Sequence, residues 1–270
     1  MGTVLAIIDN DGVRRQVLEA GAALAGVYGA HLEAVHVRVP YGIVPPIDDD
    51  IDAPLRVLVG NVIQEIVDAI AAEDVVGAAI GARTDVADRR PGGEVAMEVA
   101  SAVDKPLVLV PPQSPPLTPG QRLRVLVPLD GTELAALTVR ALVRRVADAD
   151  VEIVVLHVFG DGSVPRFLDH AEHDLPVWAD EFRARYCEDP TSRVEWRRGS
   201  PGEAIAETAR QEEVDGIIMG WGQELGRGRA AAVRSTLTDG GVPVILVPRA
   251  DAEKTLAELP ERPLRGQVPA

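Results

Sequence analysis

Val125-Leu126-Val127-Pro128-Leu129-Asp130-Gly131-Thr132 sets five apolar residues before an acid, a glycine and a hydroxyl. A short apolar run stopped by turn formers reads as a buried strand that ends in a loop and leads into a helix. The same run stands 121 residues earlier as Val4-Leu5-Ala6-Ile7-Ile8-Asp9, and His157-Val158 answers His36-Val37 at that same offset. Farther on, Gly60-Asn61 answers Gly199-Ser200, Ile66 answers Ile205 and Gly81 answers Gly220, all at 139, while 106–111 answers 243–248 at 137. The chain is therefore one unit written twice, with 18 residues inserted in the second copy and two lost near its end.

In each copy, short β-branched and leucine-rich runs alternate with longer helical patterns, which predicts parallel strands joined by crossover helices. The first copy predicts strands at 3–8, 31–37, 55–60, 76–81 and 106–111, with helices at 13–28, 61–73 and 93–103. The second predicts strands at 123–129, 151–158, 193–198, 216–220 and 243–248. The fold class is α/β, two tandem doubly wound five-stranded parallel-sheet domains. The inserted stretch 164–187 has helical spacing, whereas the first copy spans the same gap with Pro40, Pro45, Pro46, Asp48-Asp49-Asp50 and Pro54. A crossover helix is missing there, so the connection must run extended and leave one sheet face thinly covered. Domain one is expected at 1–112, a proline-rich semi-rigid linker at 113–122, domain two at 123–249, and a loose tail at 250–270 with a short helix at 251–259.

Of the 270 residues, 46% are hydrophobic and 26% charged, an ordinary globular composition. No apolar run approaches the length of a membrane span, and the first residues lack a basic leader, so a soluble cytoplasmic protein is expected. The net charge of −15 repels phosphate backbones and argues against a nucleic-acid or anionic-membrane partner. Cys187 is the single cysteine, which leaves a reduced thiol and no disulfide. His170 and His173, flanked by Asp169 and Asp174, have ligand types at helical spacing, but a charge-rich surface helix produces such pairs freely and no metal site is assigned. Arg14-Arg15 and Arg144-Arg145 read as solvated helix faces, and His36 and His157 as packing or backbone-bonding groups. Glycine elbows, Walker lysine loops and dinucleotide fingerprints are lacking, and neither lysine, Lys105 or Lys254, lies in a candidate phosphate loop.

Each copy resembles a universal stress protein domain. The resemblance rests on the first strand ending in Asp9 or in Asp130-Gly131-Thr132, the second ending in His-Val, and the stretch Gly199-Ser200-Pro201-Gly202-Glu203-Ala204-Ile205. The fourth strand Asp215-Gly216-Ile217-Ile218-Met219-Gly220 and the closing Pro-Val-Ile-Leu-Val complete it, and it covers about 3–111 and 123–248. It implies a five-stranded parallel sheet with helices on both faces, and domains that pair through their final strands. Both partners would then lie in this one chain, a chain-level homodimer being optional. In the nucleotide-binding branch of that family the aspartate helps hold adenosine, while a glycine ribbon closing on glycine and a hydroxyl wraps the phosphates.

Neither copy carries that ribbon intact. In the first, Gly81 is followed by Thr84 and Gly93-Glu94, which directs a carboxylate at the phosphate position, and Arg83, Arg89 and Arg90 are interspersed with Asp85 and Asp88. In the second, Gln223 replaces the second glycine, and Ala230-Ala231 stands where glycine and a hydroxyl are implied. The candidate contacts are Leu129, Asp130, Gly131, Thr132 and Val158 at strand ends, with Gly220, Gly222, Gly226, Arg227, Gly228 and Arg229 as a shorter cradle. ATP with Mg²⁺ is the ligand the resemblance implies there; no cofactor is required by the residues alone. Three functions stay open: a non-catalytic regulatory protein with a protein partner not named by the sequence, an ATP binder through the second copy, and a slow ATPase.

Overall fold

The computed structural model describes residues 1–9, 12–40, 51–82, 94–117, 122–159, 175–187, 192–225, 229–250 and 252. The first half runs β1 (Thr3–Ile7), α1 (Arg14–Tyr28), β2 (His31–Arg38), β3 (Leu55–Val59), α2 (Val62–Ala71), β4 (Val75–Gly81), α3 (Glu94–Ala102) and β5 (Leu107–Val110). The second runs β6 (Arg124–Pro128), α4 (Glu133–Asp148), β7 (Glu152–Phe159), α5 (Leu175–Tyr186), β8 (Arg193–Arg198), α6 (Pro201–Gln211), β9 (Gly216–Trp221), α7 (Arg229–Asp239) and β10 (Val244–Pro248). The fold is α/β, and each half is a five-stranded parallel sheet whose strand order reverses beside its first strand.

The two sheets are one. The strand order is β3-β2-β1-β4-β5-β10-β9-β6-β7-β8, and the joint between β5 and β10 is antiparallel, with Leu109 opposite Val244, Val108 opposite Ile245 and Leu107 opposite Leu246. Each partner here is a short apolar strand whose outer backbone groups would otherwise face water. Helices α2, α3, α6 and α7 cover one face in a cluster that spans both halves, from Leu5, Ile66 and Leu109 to Leu126, Ile217 and Val233. Helices α1, α4 and α5 cover the other, with Val17, Leu24, Leu142 and Phe182.

Of the stretch expected to act as a linker, 118–121 lie outside the described residues, and the part before them is tied to both halves. Gln113 donates from its side chain to the carbonyls of Leu237 (3.1 Å) and Thr238 (3.3 Å), Ser114 is buried, and the Leu117 N–H donates to Glu19. A correction concerns Arg145, which is not merely a solvated face: its guanidinium lies 5.0 Å from the centre of the Tyr28 ring in the first half, a cation–π contact across the two units. Burial raises the Tyr28 phenol above its ordinary pKa, with Arg145 pulling the other way.

The inserted stretch is helical from Leu175 to Tyr186, and its earlier part lies outside the described residues. Trp178 and Phe182 of α5 are buried over Trp196 of β8, with ring centres 4.0 and 5.3 Å from it. In the first half residues 41–50 lie outside the described set, and β3 exposes Leu55, Val57 and Val59. The expected short helix at 251–259 also falls outside, apart from Ala252.

Because the apolar cluster crosses the β5–β10 joint, the halves are expected to unfold together. Leu109→Ala, at a fully buried joint position, should cost about 2–5 kcal/mol. All three tryptophans, Trp178, Trp196 and Trp221, lie in the second half. Their fluorescence midpoint in urea should therefore fall together with the far-ultraviolet circular dichroism midpoint, although the substitution is in the first half. Separate transitions would show that the halves are independent.

Candidate functional site

In an open doubly wound sheet a ligand crevice forms at the carboxyl ends of the strands, where the strand order reverses. That point lies between β1 and β4 in the first half and between β6 and β9 in the second. In the first the two strands stay paired to the end of β1, from Thr3 opposite Val75 to Ile7 opposite Ile80. Val13, buried just before α1, stands over Gly81 so closely that a Cβ there would lie 2.9 Å from its methyl group.

The second crevice opens early. Strands β6 and β9 are paired only at Val125 opposite Gly216 and Leu126 opposite Ile217. The cause is one residue. Ile8 and its counterpart Leu129 donate backward to the second strand, to Val35 and Leu156, so the neighbouring N–H of Ile7 faces the fourth strand. Its counterpart is Pro128, which has no N–H to offer, and the ladder ends there.

Leu129 is buried, and its carbonyl accepts from Nδ1 of His157 at 2.8 Å; His36 makes the matching bond to Ile8 at 3.1 Å. These histidines tie the loop after the first strand to the end of the second, and the ring of His157 also packs among Phe159, Trp178 and Phe182. Val158 follows, half-buried at the end of β7. Asp130 is exposed and accepts from the Thr132 N–H (3.0 Å) and hydroxyl (2.6 Å), while Gly131 takes φ +76 between them. Thr132 then caps α4, its Oγ1 accepting from the Ala135 N–H. Tyr186 lies within electrostatic reach: burial first raises its phenol above the ordinary value, Arg185 lowers it, and Glu133 and Asp130 raise it further.

On the opposite wall, Gly220 is the penultimate residue of β9 and Trp221 its last; the Trp221 side chain is buried and donates its indole N–H to the Ala100 carbonyl of the first half at 2.8 Å. Gln223 stands at φ +60, the left-handed conformation that a ribbon glycine supplies freely. Its side-chain amide donates to the Val103 carbonyl, just beyond α3, at 2.7 Å. A Cβ on Gly222 would run into the guanidinium of Arg249, and the Arg249 backbone N–H donates to the Trp221 carbonyl. Gly226, Arg227 and Gly228 lie outside the described residues, as do Gly93, 83–90 and the His170–His173 pair. Arg229 begins α7, and Ala230 in its first turn is buried in the core. Among the described residues no group of three His, Cys, Asp or Glu could hold a metal ion, and no helix is long and apolar enough to cross a membrane.

The structure thus brings together Leu129, Asp130, Gly131 and Thr132 on one side of the crevice and Gly220 and Gly222 on the other. Pro128, Trp221, Gln223 and Arg249 also decide its shape. A comparison of the two copies at Ile7 and Pro128 could have found the first; the attachments of Trp221 and Gln223 to the other half left no local sign.

Residues 122–238 match the universal stress protein family. Among solved structures, a universal stress protein from Archaeoglobus fulgidus is similar over 92% of this chain and 98% of its own, at 19% identity and a TM-score of 0.66. A functionally unknown protein from Pseudomonas aeruginosa is similar over 95% of this chain and 97% of its own, at 12% identity and a TM-score of 0.65. No curated protein matches the chain. Identities this low bear on the fold.

Gln223→Ala removes the bond to Val103 but keeps the left-handed backbone, and should cost about 0.5–1.5 kcal/mol. Gln223→Gly removes the same bond while relieving the conformation, so its cost should be smaller by about 1 kcal/mol. Urea midpoints of the two variants check the order, and a glycine variant no more stable than the alanine one would contradict it.

Proposed function

We propose that this chain, whose second half is a universal stress protein domain, is a non-catalytic regulatory protein in which the ribbon after β9 has become a structural fastening. One observation carries the reading: Gln223 occupies the second ribbon position and directs its amide to Val103 of the other half. A backbone N–H that must approach a phosphate needs a ribbon free to wrap it. Here the start of the ribbon is held on one side by Trp221 and Gln223 and covered at Gly222 by Arg249. The closing hydroxyl position is taken by the helical pair Ala230-Ala231. Among the described residues the one lysine, Lys105, bonds the Ala72 carbonyl between α2 and β4.

A second reading is adenine-nucleotide binding through the second half alone. The early opening between β6 and β9 favours it, as does the guanidinium of Arg249 at the crevice wall of a chain with net charge −15. In the first half the corresponding strands stay paired to Ile7 and Ile80.

Calorimetric titration of the purified chain with ATP and Mg²⁺, with mass analysis of co-purified nucleotide, separates the readings. The expected result is no saturable heat up to about 1 mM ATP, weaker than about 4 kcal/mol of binding free energy. Saturable binding abolished by Gly220→Val and unaffected by Gly81→Val would overturn the first reading in favour of the second. Binding lost on Gly81→Val would contradict both.

A further inference from the structure

The two ends of the ten-stranded sheet are built differently. Along the β8 edge, Arg193 pairs with Glu195 (2.9 Å) and Glu212 (2.8 Å), and Arg197 pairs with Glu195 (3.1 Å), while α5 lies over Trp196. Charged side chains on an outer strand are the usual defence against edge-to-edge association. Among the described residues the β3 edge has none of this. Its one charge, Arg56, pairs inward with Glu33 of β2, and the strand exposes Leu55 (38%), Val57 (47%) and Val59 (61%). Val39 beside it is 50% exposed, so four of the seven exposed large apolar side chains among the described residues gather at this one corner.

The internal repeat supplies the control. At the offset of 139, Leu55 and Val57 correspond to Val194 and Trp196, which are partly buried against the apolar cluster under α5. The same two strand positions are therefore covered in one copy and open to solvent in the other.

We infer that β3 is a self-association surface, on which a second copy of this chain pairs its own β3 antiparallel about a two-fold axis at Val57. The backbone fits this geometry. Ala34 donates to the Pro54 carbonyl and Gly60 donates to the Arg38 carbonyl, so the even-numbered positions turn their backbone groups toward β2. By strand alternation, the N–H and C=O groups of Leu55, Val57 and Val59 face outward. A two-fold at Val57 sets Val57 opposite its own copy and Leu55 opposite Val59 of the second chain, and each becomes a hydrogen-bonded pair. The side chains of all six fall on one face and form a single apolar stripe. The pairing is self-complementary because the strand Leu-Arg-Val-Leu-Val carries apolar residues at both ends and in the middle. It also repeats, between chains, the antiparallel edge joint that β5 and β10 already make within one chain. Pairing β3 with β8 of another chain would instead propagate without closing, and the ion pairs and helix at that edge oppose it.

A joint of two five-residue strands is small for a protein interface, and two chains of net charge −15 repel each other. The dimer should therefore be concentration-dependent and should tighten as salt screens that repulsion, opposite to an association held by ion pairs. Sedimentation equilibrium of the full chain tests this from about 1 to about 500 μM. The expected result is a reversible approach to twice 28.7 kDa, with a dissociation constant that falls between low and high salt. Val57→Pro removes an outward N–H without touching the ladder to β2, and Val59→Lys places a charge on the stripe. Each should weaken the dimer by about tenfold or more while leaving the urea midpoint near wild type. If Val57→Pro disturbs the fold, Val59→Lys carries the test. A chain that stays monomeric at every concentration, growth past a dimer, or a dimer indifferent to Val59→Lys would overturn the inference; the first would leave the edge to a different partner.

Discussion

The antiparallel joint between Leu107–Val110 and Val244–Pro248 is the constraint on which the rest of the molecule depends. A five-stranded half has an outer strand on each side, and unpaired backbone groups along a buried apolar strand are costly. Joining the two last strands removes that cost from both halves at once. It also aligns the faces, so helices from both units cover one continuous sheet and share an apolar cluster. Everything near the crevice of the second half inherits its position from this joint. Trp221 and Gln223 reach the carbonyls of Ala100 and Val103 only because β9 lies one strand from it.

Within that frame the two copies have diverged by small changes with large geometric effects. Where one carries Ile7 the other carries Pro128, and the loss of a single N–H ends the ladder beside the crevice at Leu126, two residues earlier than at the matching end of the first copy. In the first copy Val13 fills the corresponding space over Gly81. The second copy keeps Asp130-Gly131-Thr132, yet the aspartate is satisfied by Thr132 and the threonine caps the helix. Local hydrogen bonding accounts for all three residues, which is why their presence alone does not establish a ligand site.

The outer strands of the two halves differ in how much apolar surface they bury. In the second half, Trp178 and Phe182 cover the outer strand, and the buried His157 ring sits among the same aromatics. In the first, the strand exposes Leu55, Val57 and Val59. A repeat protein can thus keep both copies folded while using one sheet edge for packing and leaving the other open.

Much of this was legible in the sequence. The offset of 121 between the first strands and the alternation of strand and helix patterns are local in the chain, and period and spacing reveal them directly. So was the degeneracy of the ribbon, since a glutamine or an alanine in place of glycine is visible without coordinates. Other features were decided by tertiary structure alone. The segment at 113–117 reads as a spacer from its prolines but is held by contacts with residues 98–125 positions away. Arg145 reads as a solvated charge until Tyr28 is brought against it. Gln223 shows only that a glycine is absent; its bond to a carbonyl 120 residues away turns that absence into a fastening. The physical reason is the same in each case: backbone periodicity and turn chemistry act over a few residues, whereas the partner of a polar side chain depends on which distant element the sheet places beside it.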